Sequence, residues 1–345
     1  MLYYSSLEGD MKKRHIDDAQ PTTVEEHFKL LMSDTDFISS DITKVSPADL
    51  PDWYDSKLFN EAKQFYSRNM LTVGLTGLLG LIGVLTVPPI LDVLIYTKQS
   101  GSTCLAYKRY LQTLLHVYTF YYSDIEDPDS KWYKSLNVVR SKHAIGHKRA
   151  QIAKIGGISQ RDMSLTLYAF VAYLHLGRDK MHLKYTTAEL DAFNHFWRII
   201  GHLLGIDDRI NVCRKNADET AKLCRRINDD FMRKCLRDMT PEIMEMVEYM
   251  LNGFWYIDIS VDLDAIMVLY YDILGVEYPK KLSWYSWLNM KNRDIQLSIM
   301  GVPYFGSILR VYYNYFVRVI YWIQEHYPVL AWIGFGKSQS AIKLY

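Results

Sequence analysis

The sequence has no dominant charge: 40 lysines and arginines stand against 39 aspartates and glutamates, a net of +1 with histidine neutral. Nucleic acid is held by clustered cations, so this balance gives no electrostatic reason to expect it as a partner. Cysteine is scarce, with four residues. Cys213, Cys224 and Cys235 recur at intervals of eleven. On one helix such neighbours stand about 16 Å apart, close enough to share a face but not a metal ion. No Asn-X-Ser/Thr sequon occurs, and no N-terminal apolar run leads to a small-residue cleavage site. These absences favour an intracellular, reducing setting without a cleavable signal peptide.

Motifs are missing too. There is no Gly-X-Gly-X-X-Gly, no Cys-X-X-Cys-His and no His-Glu-X-X-His. GFGKSQS imitates a phosphate loop, but Ala331 stands where the first glycine is needed, and too little chain follows Ser338 for a receiving helix. Dense Gly/Pro punctuation, alternating strands and helices, and fixed repeats are all absent. What remains is an all-α fold, a single bundle-like domain.

The apolar content is ample: 49% of residues are hydrophobic, with Tyr 27 and Trp 8. Residues 1–45 read as a polar N-terminal arm with one short helix at TVEEHFKLLM. Residues 46–300 read as the helical domain, with Ser46 capping a first turn and Asp55 preceding an amphipathic helix. Residues 301–345 read as an aromatic amphipathic helix and tail, suited to a lid or to a membrane surface. Residues 70–90, MLTVGLTGLLGLIGVLTVPPI, carry no charge. A buried helical hairpin, a transmembrane span and a membrane-dipping element all fit that run. Gly74, Gly77, Gly80 and Gly83, with the break at Pro88-Pro89, favour the hairpin. One helix is expected over 104–122, with His116 simply packed, and another over the charged stretch 216–237. Thr240-Pro241-Glu242 starts a further helix, which continues through 254–275.

The chemistry gathers in residues 136–213, where His143, His147, His175, His195 and His202 sit on helical runs beside apolar partners. His143 and His147 share a face with Arg140, and His195 and His202 share a face of another helix. Imidazoles from several helices suggest a metal or a haem. A di-iron bundle needs paired Glu-X-X-His motifs, and none recurs here. A b-type haem needs one axial imidazole in an apolar cavity and leaves little linear signature.

On these residues the chain resembles the rubber oxygenase/ER-bound oxygenase family. LPDWYD, the Gly-rich run ending Pro-Pro, VVRSKHA, ISQRDMSLTLYAF and FWRIIGHLLGI resemble its motifs in their expected order, over roughly residues 46–290. The resemblance implies an all-α protein carrying haem b (iron), using O2 to cleave a carbon–carbon double bond of an isoprenoid or lipid-like substrate. It implies an axial ligand at His175, with His195 and His202 in reserve, and a distal pair of Arg140 and His143 as the catalytic residues. His147, where many relatives have Arg, and His202 would lie beside the cofactor. Thr166 and Asp162 would stabilise the helix pair. A carboxylate base is expected, and Asp124 and Glu126 lie in the right region without matching a motif. Association with the ER membrane is open. So is a non-catalytic alternative: a carrier of haem or a hydrophobic ligand using the same cavity. A structural membrane-associated protein with merely packed histidines is the third reading.

Overall fold

A computed structural model describes residues 19–40 and 43–345. Its helices, in chain order, are α1 (Val24–Ser33), α2 (Ser56–Arg68), α3 (Met70–Leu85), α4 (Pro88–Tyr96), α5 (Thr103–Tyr122), α6 (Lys131–Ile152), α7 (Gln160–Gly177) and α8 (Thr187–Leu203). There follow α9 (Ala217–Ile227), α10 (Arg233–Arg237), α11 (Pro241–Trp255), α12 (Leu263–Leu274), α13 (Trp284–Gly301), α14 (Phe305–His326) and α15 (Val329–Phe335). The all-α expectation holds. Among the described residues the sole β pairing is a bridge between Phe37 and Ser159.

Local chemistry sets the helix starts. Thr23 and Glu26 form a reciprocal capping box at α1, and Ser159 with Asp162 forms another at α7. Asp55 caps α2 by accepting from the Lys57 and Leu58 N–H groups, and Ser46 caps a short 3-10 turn over Pro47–Asp49. Pro88-Pro89 opens α4, where the missing N–H groups are harmless.

The short N-terminal helix falls where the sequence places it, but its setting is not that of an arm. His27 and Leu31 are buried. Gln20 Nε2 donates to the Asn211 carbonyl at 2.9 Å, and Arg214 Nη2 donates to the Pro21 and Thr22 carbonyls at 3.1 Å. Residues 1–18 and the pair 41–42 of that expected arm lie outside the described residues. The charged stretch 216–237 divides into α9 and α10 at a wide π-type turn, Asn228–Met232. The helix expected to run on through 254–275 instead stops at Trp255, and α12 restarts after Asp262. The aromatic C-terminal region is two helices, α14 and α15.

The uncharged run forms α3 and the start of α4. Among the described residues no single helix is long and apolar enough to cross a membrane, and α2 meets α3 at 96°. Most of α3 faces protein, with Leu79, Ile82 and Leu85 fully buried. Two of the four glycines explain the packing. A Cβ on Gly80 would come within 1.9 Å of the Ala169 carbonyl oxygen, and one on Gly83 within 2.4 Å of the Tyr173 hydroxyl. The backbones of α3 and α7 therefore touch, as no side chain at position 80 would allow. Gly74 and Gly77 meet nothing within 4 Å, so they take no part in that crossing.

All four cysteines are free. Cys213 precedes α9, while Cys224 and Cys235 lie on α9 and α10. The single helix on which their spacing was read does not exist. Burial pushes the Cys213 thiol up to about 12 and that of Cys235 up to about 11.

Candidate functional site

The crossing of α3 and α7 forms one wall of a cavity of about 450 Å³, closed by α4, α5, α6 and α8. That volume suits a small molecule or cofactor, for which roughly 300–1,000 Å³ is usual. Its walls are mainly apolar: Leu81 and Val84 from α3, Val93 from α4, Phe120 from α5, Phe170 from α7 and Ile200 from α8. Polar groups enter from two adjacent helices. Arg109, Gln112, Thr113 and His116 project from α5, while Lys142, His143 and Arg149 project from α6.

His143 is the one histidine of the expected set that lines the cavity. Its Nδ1 is buried without a partner. Burial, with Arg109, Lys142 and Arg140 adding positive charge nearby, lowers its pKa to about 4. The ring is therefore neutral at ordinary pH and keeps a lone pair for a metal or a proton. His116 lines the same cavity with both nitrogens unpartnered, so it is more than a packed residue. Burial brings it to about 4 as well. The Tyr345 ring stands edge-on to it at 6.4 Å, and the Lys343 carbonyl accepts from Gln112 Nε2 at 2.9 Å. The chain's last described residues thus lie against α5.

His175 does not reach the cavity. The cavity face of α7 runs through Met163, Thr166, Leu167 and Phe170, and a helix turned five residues further presents a different side. Instead His175 is buried with both nitrogens unpartnered, edge-on to Phe193 at 6.3 Å, its pKa lowered by burial to about 3.

Arg140 also points elsewhere: its Nη1 donates to the Leu203 carbonyl at 2.6 Å, tying α6 to the end of α8. His147 accepts from the Ile158 N–H at 3.0 Å and packs on Phe37. His195 accepts from the Asp55 N–H at 3.1 Å. His202 holds the Asp208 carboxylate at 2.9 Å. Trp53 of LPDWYD stands edge-on to His195 and His202, with the Arg198 guanidinium 5.6 Å from its ring centre. The motif thus clasps one face of α8, and His195 and His202 turn to it rather than line the cavity.

The acidic candidates are displaced too. Asp124 accepts from the Glu126 N–H, and Glu126 accepts from the Tyr54 hydroxyl; both acids are exposed and off the cavity. The carboxylate that does line it is Asp162. Its Oδ2 accepts from the Ser159 N–H at 3.0 Å, while Oδ1 is buried without a partner. Thr166, which also lines the cavity, donates to the Asp162 carbonyl at 2.8 Å. Among the described residues no group of three His, Cys, Asp or Glu side chains could hold a metal ion. Arg109, Gln112 and His116 were legible only as polar residues at helical spacing on a helix with little charge.

The family model described as ER-bound oxygenase mpaB/B′/Rubber oxygenase, catalytic domain, matches residues 66–290. The chain belongs to this family. Within the mpaB/rubber oxygenase family, the solved structure of latex clearing protein in its closed state shares the fold. It is 17% identical, with a TM-score of 0.55, covering 78% of this chain and 76% of that one. No curated protein matches the sequence. The family match spans α3 to α12 and so takes in the whole cavity. It extends to this chain the character of an oxygenase of the rubber oxygenase type.

Proposed function

We propose that the cavity holds a haem b and that the chain is a haem-dependent oxygenase of a hydrophobic, unsaturated, isoprenoid or lipid-like substrate. One observation carries this reading: an unpartnered neutral imidazole, His143, faces an apolar cavity of cofactor size. The residues fit the group. His143 would hold the iron, with His116 as the second imidazole within the same walls. Lys142 and Arg149 would meet the propionates. When bound, haem iron supplies the means of activating O2. The chain's own part is to exclude water and orient the alkene. Leu81, Val84 and Phe120 offer the substrate an apolar wall. The Thr113 hydroxyl, which donates to the Arg109 carbonyl, keeps lone pairs to accept a hydrogen bond, and Asp162 Oδ1 is the one carboxylate atom among the described lining residues available to hold a proton.

On this reading His143, rather than His175, would hold the iron, and Arg140 would tie α6 to α8 rather than meet the cofactor. Recording the visible spectrum and metal content of protein expressed with haem supplied tests the proposal. A Soret band lost in His143→Ala supports it, and a folded, colourless wild type ends it.

A non-catalytic carrier of haem or a hydrophobic ligand is the second reading. It is favoured by the fact that the one lining carboxylate, Asp162, is engaged in a helix cap. Oxygen uptake with an unsaturated lipid separates the two.

We also propose that α13 and α14 rest on an intracellular membrane face, such as that of the ER. Trp284, Tyr304, Phe305, Ile308, Tyr315 and Trp322 are exposed. Residues 295–324 contain no acid, and their charges are Arg310 and Arg318. Aromatic and cationic side chains together suit the lipid interface.

A further inference from the structure

Arg109 is a charge without a counter-charge. Its side chain lines the cavity and is half-buried. Among the described residues no carboxylate pairs with its guanidinium; the group beside it is the Tyr110 phenol, a neutral neighbour. A guanidinium cannot discharge by losing its proton, so removal from bulk water leaves it in need of an anion. The protein supplies more positive charge instead. Burial and the Arg109 charge lower the pKa of Lys142, and its ammonium donates to Gln112 Oε1 at 3.3 Å rather than to an acid. Arg149 lines the cavity too. Asp162, the one lining acid, sits on α7 in its own cap.

We propose that Arg109 receives the carboxylate of an amphipathic acid whose apolar chain occupies this cavity. The proposal rests on the reading of the cavity as a substrate site and names the substrate class: an unsaturated hydrophobic acid rather than a neutral hydrocarbon. The planar guanidinium matches a carboxylate through two parallel N–H···O bonds. A phosphate head group is less suited. The helix N-terminus bordering the cavity begins Pro88-Pro89, and so lacks two of the free N–H groups on which phosphates settle. The same carboxylate chemistry has a second source, the propionates of a resident haem, and the experiment separates them.

The test is calorimetric titration of the full-length chain, purified with and without haem, using oleate and the equally long neutral oleyl alcohol. The expected result is that oleate binds at least about thirtyfold tighter, the scale of breaking a buried charge pair. Arg109→Leu should erase that preference, and Arg109→Lys should restore part of it, with circular dichroism confirming that each variant folds. If the acid and the alcohol bind alike while haem binds more tightly than its dimethyl ester, and only wild type makes that distinction, Arg109 serves the propionate and the substrate proposal falls. Equal binding within both pairs, or a preference unchanged in Arg109→Leu, overturns the carboxylate receptor altogether. A missing Soret band would end the haem reading while leaving the oleate comparison intact, so the two failures are distinguishable.

Discussion

Gly80 on α3 and Ala169 on α7 approach so closely that a methyl group on the glycine would come within 1.9 Å of the alanine carbonyl oxygen. This backbone-to-backbone contact sets the distance between two walls of the cavity. Gly80→Ala should therefore destabilise the fold by at least about 1–3 kcal/mol, the usual cost of overpacking. Gly77→Ala, with nothing within 4 Å, should instead gain about 0.5–1 kcal/mol from helix propensity. Urea denaturation of the two variants checks the pair. Equal effects would show that the crossing is looser than described.

The histidines should separate by spectrum. His143→Ala should lose the Soret band, or shift it strongly, and His116→Ala should perturb it. His175→Ala, His195→Ala and His202→Ala should leave its position unchanged, because their rings lie off the cavity. Retention of a native band in His143→Ala would show that another residue holds the iron.

Stability should fall as the solution is acidified from about 6.5. His143, His116 and His27 are each lowered to about 4, and His175 to about 3, chiefly by burial. Their folded pKa values lie below the unfolded ones, so between the two the unfolded chain binds more protons. Stability is complete above about 6.5 and declines until each folded pKa is passed, at about 1.4 kcal/mol per proton per pH unit. Urea midpoints at pH 7.5, 6 and 5 should descend. His175→Leu, which removes two unpaired buried nitrogens, should flatten the slope at little cost in stability at pH 7.5.

Lipid contact can be tested on the surface of α14. Wild-type protein should float with vesicles containing anionic lipid, while Ile308→Glu combined with Tyr315→Glu should sediment without them. Flotation unchanged by both substitutions would assign the exposed aromatic face to something other than a bilayer.

Much of this was legible in the chain. The 3.6-residue apolar periodicity located most helices, and the caps at Ser46 and Asp55 follow from side-chain chemistry alone. The cavity was less legible, because a lining residue and a core residue share the same helical spacing. His143 and His175 look alike in sequence. They differ by which face of a helix meets empty volume, and that depends on the α3–α7 crossing. The histidines of α8 misled for a related reason: Trp53, distant in sequence, occupies their face. The breaks at Asn228–Met232 and after Trp255 carry no proline or helix-ending glycine that would have marked them.

The cysteines give the molecule an internal clock. Cys213 and Cys224 are buried, and Cys213 is held as a thiol by burial, whereas Cys104 is partly accessible. Alkylating agents react with thiolate, so Cys104 should label in the folded protein. Modification of the other two must then wait for the core to open. Their labelling rates in the presence and absence of a cavity ligand would time how often the helices surrounding it part, and whether an occupant slows that breathing.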